Sequence, residues 1–184
     1  MKILKVKTAK GFKDLEKQIR KDVHIALQDS LETEVFSVVK EAVIDRVQKD
    51  VYDVYSPQVY KRRSDGNPDG GQGLGDKSNV VYELEGRATK TKGKTLTVWN
   101  IAKANPRNNP NQAFSTAKRK DNILQKIIID GWTNAGADAP VWRQPRPFIE
   151  RAIEALAPGG EHRGSLEEAF DMGLARHGIE RINK

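Results

Sequence analysis

Between residues 15 and 55 apolar side chains recur at steps of three and four. They fall at Leu15, Ile19, Val23, Leu27, Leu31 and Val35, then at Val38/Val39, Ala42/Val43, Val47, Val51 and Val54. That spacing puts one apolar stripe along a helix of about 60 Å, at about 1.5 Å per residue. Lys17, Arg20, Lys21, Asp29, Glu32, Glu34, Lys40, Glu41 and Asp45 occupy the other faces. No proline interrupts the run before Pro57. Four-residue steps dominate and drift around the axis, so the stripe is not a coiled-coil heptad. It predicts a brace for a small sheet, kinked or broken near Asp29-Ser30.

Around this helix the pattern changes period. Ile3-Leu4-Lys5-Val6-Lys7 alternates as a short strand does, and Gly11 punctuates the turn into the helix. Residues 80–85 and 95–101 alternate and are rich in strand formers, which predicts an antiparallel hairpin. Between the helix and the hairpin, residues 65–75 are crowded with glycine and read as a loop. Residues 104–120 are polar, basic and broken by proline, and predict an exposed excursion. Asp121 is placed as the N-cap of a short helix carrying Ile123, Leu124, Ile127 and Ile128 and ending near Gly131. Pro147 opens a helix over 148–156 with Phe148, Ile149, Ala152, Ile153 and Leu156 inward. After Pro158-Gly159-Gly160, Ser165 and Glu168 have capping-box spacing before a last helix. Its inward face holds Leu166, Ala169, Phe170 and Leu174, and Gly178 ends it.

The fold class that follows is α+β: one long N-terminal helix packed on a small antiparallel sheet, with two or three shorter C-terminal helices. Residues 1–157 form the main domain, with mobile loops at 61–79 and 104–120, and 158–184 form a helical extension. At 184 residues the chain suits this arrangement. A hydrophobic content of 37% beside 31% charged residues is lean core material, which suggests that partner subunits complete the surface.

Charge and cysteine usage narrow the chemistry. The chain has no cysteine, which excludes disulfides and thiolate metal sites. The opening residues lack the apolar run of a signal peptide, and no stretch has transmembrane length, so a soluble protein made in a cytoplasm is expected. The net charge of +7 is concentrated in residues 61–120, with 13 Lys/Arg against 5 Asp/Glu. Such a basic middle suits contact with phosphate or an acidic partner, and equally suits solubility and loop hydration. Lysines at a hairpin tip also guard a sheet edge against pairing. Tyr52, Tyr55 and Tyr60 beside Lys61-Arg62-Arg63 could stack on a single strand of nucleic acid, although the helical spacing of Tyr52 and Tyr55 equally suits packing. Gly71, Gly73 and Gly75 follow a helix and precede a strand, the reverse of a phosphate cradle.

His24, His162 and His177 lie far apart in sequence with no neighbours at metal-ligand spacing. His24 is expected at the surface or in packing, and His177 beside a helix C-terminus, where a cation suits the dipole. No catalytic spacing stands out, so no enzyme, cofactor or metal is expected.

In order, these pieces resemble the tail-completion (minor tail, or neck) proteins of long-tailed bacteriophages and prophages. That family opens with a strand and a glycine-hydrophobic-x-x-leucine turn, as in Gly11-Phe12-Lys13-Asp14-Leu15. A Gly-x-Leu-x-x-Ser-hydrophobic motif is matched loosely by Gly73-Leu74-Gly75-Asp76-Lys77-Ser78 and Val80. A proline-phenylalanine entry to a helix is matched by Arg146-Pro147-Phe148-Ile149-Glu150-Arg151-Ala152. The glycine loop is longer than the family's and lacks its aspartate-threonine-glycine triplet. The resemblance implies a virion structural protein of the neck or head-proximal tail end, made in the bacterial host and forming a homo-oligomeric ring, with a hexamer favoured. Its implied partners are tail-tube, tail-terminator or head-closure proteins, with non-specific contact to channel DNA and none to membrane. Under it, Lys61, Arg62, Arg63, Arg87, Lys90, Lys92 and Lys94 would face an acidic neighbour or the DNA path. Trp99, Trp142, Arg146, Pro147, Phe148 and Ile149 would be core or docking anchors. The rival functions are a nucleic-acid-binding protein using residues 61–120 and a head-side adaptor or stopper.

Overall fold

The computed structural model describes residues 11–54, 73–86, 93–102, 128–131 and 144–180. The expected strand at 3–7, Tyr55 and Tyr60, the excursion at 104–120, the proposed Asp121 cap and the loop closed by Trp142 lie outside them. So do Lys61, Arg62, Arg63, Arg87, Lys90 and Lys92.

Gly11 immediately precedes the long helix, and its carbonyl accepts from the backbone N–H groups of Asp14 and Leu15. The helix runs through four consecutive segments: α1 (Phe12–Ser30), a π-helical turn (Leu31–Val35), α2 (Phe36–Arg46) and a second π segment (Val47–Tyr52). The break expected near Asp29-Ser30 is therefore a widened turn, and the chain stays helical through it. Residues of a π turn advance less around the axis than α residues do. This offsets the drift of the four-residue steps, and across the first π turn the buried positions advance by five, from Ser30 to Val35.

β1 (Val80–Glu85) and β2 (Thr95–Asn100) form a two-stranded antiparallel sheet, with Val80 opposite Asn100, Val81 opposite Trp99 and Glu85 opposite Thr95. The sheet lies on α2, where the Phe36 and Tyr82 rings meet at 4.4 Å and Lys40 Nζ sits 4.5 Å from the Phe36 ring. Two C-terminal helices follow, α3 (Phe148–Leu156) and α4 (Arg163–Ala175). α3 packs on α2, while α4 crosses α1 and the first π turn. The architecture is α+β as the pattern predicts.

One core gathers these pieces: Val43, Val47 and Val51 from the long helix, Leu74, Val80 and Ala102 from the sheet region, then Ile128, Phe148 and Ala152. Phe148 is fully buried. Burying a side chain of that kind stabilises by about 1.5–3 kcal/mol. Residues 128–130 are helical and Gly131 has φ +71°, so the end of the short helix before it falls where expected.

Several inward assignments change. Ile19, Val23 and Val54 of the expected stripe are exposed, as is Ile153 of α3. Ser165 does not cap α4. The helix starts at Arg163 with His162 as N-cap, because Gly160 and His162 carbonyls already receive the N–H groups of Arg163 and Leu166. Residues 73–79 belong to the expected mobile loop 61–79, yet they form a fixed turn. Gly75 N–H donates to Tyr52 Oη (3.0 Å), Asn79 Nδ2 to the Gly73 carbonyl (2.9 Å) and Asn100 Nδ2 to the Leu74 carbonyl (2.8 Å). Asp76 caps the 3-10 turn Lys77–Asn79 by accepting from Ser78 N–H.

Candidate assembly surface

The N-terminal part of α1 is the exposed element that most needs an explanation. Phe12, Ile19 and Val23 share one helical face with Ala26 and Ser30, by their spacing of seven, four, three and four. Ala26 and Ser30 are fully buried under α4, but no residue from Gly11 to Ile25 is buried. Phe12 is 83% exposed and Ile19 53%. The amphipathic face thus continues beyond its partner helix and offers its apolar side to solvent.

Where α4 does cover it, contact is close. A Cβ at Gly173 would come within 2.2 Å of Ser30 Oγ and 2.7 Å of Ser30 Cα, so glycine is what lets the helices approach. Ser30 Oγ donates to the Phe170 carbonyl at 3.1 Å. An ionic network closes the same crossing. Arg176 Nη2 donates to Asp29 Oδ2 (2.8 Å), Thr33 Oγ1 (2.8 Å) and Glu34 Oε2 (3.0 Å). His177 Nε2 lies 2.7 Å from Asp29 Oδ2. The hydrogen bond with His177 and the charge of Arg176 hold the Asp29 carboxyl below its usual value, against burial. His177 therefore has a tertiary partner in addition to the helix end expected for it.

At the other end of α4, folding brings together groups that sequence spacing separates. Single ligand atoms of Asp45, Glu161 and His162 lie within 4.8 Å of one another. The set could in principle hold a cation. However, Lys49 Nζ is 2.8 Å from Asp45 and 3.7 Å from Glu161, and Arg46 Nη2 is 2.5 Å from Glu161. A divalent ion would have to displace these two cations, so the arrangement is an ion-pair network tying the start of α4 to α2. Burial opposes the Asp45 charge, but Lys49 and His162 hold its carboxyl below the usual value. The Lys49 ammonium is raised by its hydrogen bond to Asp45, against burial.

The described anchors and basic residues take different positions. Phe148 is core, Ile149 packs at the core edge and Trp99 is half-buried on β2. Pro147 is the N-cap of α3, and the N–H of Arg146 donates to the Ile128 carbonyl at 2.9 Å. Lys94 Nζ donates to Gln28 Oε1 at 2.9 Å, so this hairpin lysine reaches the long helix. Sequence reasoning missed Asn79, Asn100 and Gly173. Asparagine beside a strand-forming run and glycine inside a helical pattern are the signals that could have found them.

The fold is an α+β domain built on one long helix, with an apolar helical face left open. The sequence model of the YomN family matches residues 11–176, and the chain belongs to that family, which is phage-associated. No curated protein and no solved structure shows significant similarity to it. Among the described residues, no helix is long and apolar enough to cross a membrane.

Proposed function

We propose that the chain is a structural, non-enzymatic protein of the phage neck or head-proximal tail end. In this reading it forms a homo-oligomeric ring that completes the tail and helps join head and tail around the DNA channel. One observation carries the proposal: the pieces that resemble tail-completion proteins frame a single core. Leu74 and Val80 of the glycine-leucine motif and Phe148 of the proline-phenylalanine motif pack with Val43, Val47 and Val51 of the long helix. Phage-associated family membership supports the same reading. Tail-tube, terminator or head-closure proteins would be the neighbours, and the basic segment 61–120 would face them or the DNA.

The test is deletion of the gene in the phage or prophage that carries it. Electron microscopy should show filled heads and separate tails, and mass spectrometry should find the protein in purified wild-type virions. Joined, infectious particles in its absence would overturn the proposal. A purified monomer that binds DNA tightly, with affinity falling steeply with salt, would favour the nucleic-acid reading.

A further inference from the structure

β1 pairs with β2 along one edge, and among the described residues no backbone hydrogen bond joins residues 81–85 to any other segment. Such an edge is a row of unpaired N–H and C=O groups that an extended segment can join. Its side chains are sorted by face. Tyr82 and Leu84 lie on the side that meets α2, where Tyr82 touches Phe36 yet stays 37% exposed. Val81, Glu83 and Glu85 lie on the other side, and neither glutamate has an ion-pair partner among the described residues. A segment of this chain matches that edge. In Ile3-Leu4-Lys5-Val6-Lys7, apolar Leu4 and Val6 alternate with Lys5 and Lys7. Laid parallel to β1 with Ile3 beside Val81, it puts Leu4 beside Tyr82 and Val6 beside Leu84 on the helix side. The same register puts Lys5 beside Glu83 and Lys7 beside Glu85 on the outer side. A slip by one residue would send both lysines to the apolar side. The corresponding outer positions of β2 are Thr95, Thr97 and Trp99, with no carboxylate to meet a lysine.

We infer that the Ile3–Lys7 segment adds as a strand to the β1 edge of a second copy of this chain. Reach excludes its own sheet. Tyr82 packs against Phe36, which lies 25 residues beyond Gly11 on the continuous helix, or about 37 Å along its axis. Leu4 is seven residues before Gly11 and can lie at most about 24 Å from it. The hairpin tip is nearer, since Lys94 Nζ reaches Gln28, but that level is still about 25 Å from Gly11. Even a fully extended chain brings no more than Ile3 to it. The donor segment and the acceptor edge are different surfaces, so the contact is heterologous and can repeat from copy to copy. The inference deepens the ring reading above and rests on it only for the closure of that series.

The absence of native cysteine allows a direct test on the full chain. Lys5→Cys and Glu83→Cys are made as separate variants and oxidised mildly, alone and mixed. The expected result is a cross-linked dimer from the mixture and none from either variant alone. The double variant should give a ladder of linked chains, whereas a disulfide closed within one chain would overturn the inference. A dimer from Lys5→Cys alone would overturn it in favour of pairing between two N-terminal segments, and a mixture that stays monomeric would also overturn it. Lys5→Glu with Lys7→Glu should weaken self-association about tenfold, and adding Glu83→Lys and Glu85→Lys should restore it. The two proposals fail separately. A cross-link in a protein missing from virions sinks only the neck reading, and a virion protein without the cross-link sinks only this contact.

Discussion

The two halves of the long helix carry the same apolar spacing and have opposite fates. In α2 and the second π segment, Val43, Val47 and Val51 lie in a core shared with the sheet and α3. In α1, Ile19 and Val23 occupy the corresponding stripe and are exposed, because α4 covers only the end of α1 near Ala26 and Ser30. Periodicity reports that a face is apolar. It does not report whether the covering surface belongs to the same chain. Between the halves, the π turn and the small residues Ala26, Ser30 and Gly173 mark where cover begins.

This contrast can be broken by mutation. The largest effect is expected from Phe148→Ala, which empties the core side only and should cost about 3–5 kcal/mol in denaturant unfolding. A matched pair of substitutions follows. Val47→Ala should cost about 2 kcal/mol, since Val47 is fully buried. Val23→Ala should stay within about 0.5 kcal/mol, since Val23 is exposed. Equal destabilisation by both would mean that α1 is covered within the monomer. Gly173→Ala tests the boundary between the halves. Its Cβ would meet Ser30 backbone, so overpacking should cost about 1–3 kcal/mol and loosen α4, detected as faster hydrogen exchange over residues 163–175.

The smallest expected effect is the pH response of the α4 crossing. The Asp29 and Asp45 carboxyls are held below their usual values in the folded protein. Their contribution is therefore present above the unfolded value, near 4, and lost as pH falls through the folded one. Acidification below about pH 4 should speed exchange in α4 more than in the core helices, and Asp29→Asn together with Asp45→Asn should remove the difference. Surface screening keeps the effect modest.

Much of the fold was legible because local pattern and tertiary role agree. Strict alternation marked β1 and β2 within a residue of their ends. Pro147 preceding an apolar periodic run marked α3, and Gly178, with φ +72°, marks the stop after α4. The Ser165–Glu168 spacing misled because a cap is decided by which carbonyls the preceding turn offers, and the turn at 158–162 offers them earlier. Less of the candidate surface was legible. Lys94, expected at a free tip, meets Gln28 across the fold.

The amino-acid order by itself determined the long helix, the hairpin and the apolar entry to α3, since each is written in a period of 3.6 or 2 and in the residues that break it. Tertiary structure alone decided which part of the long stripe became core. It also decided that Asn79 and Asn100 clasp the glycine turn, and that Asp45, Glu161 and His162 meet Arg46 and Lys49. Those outcomes depend on contacts between residues far apart in the chain, where burial and charge pairing are set by the element that arrives opposite.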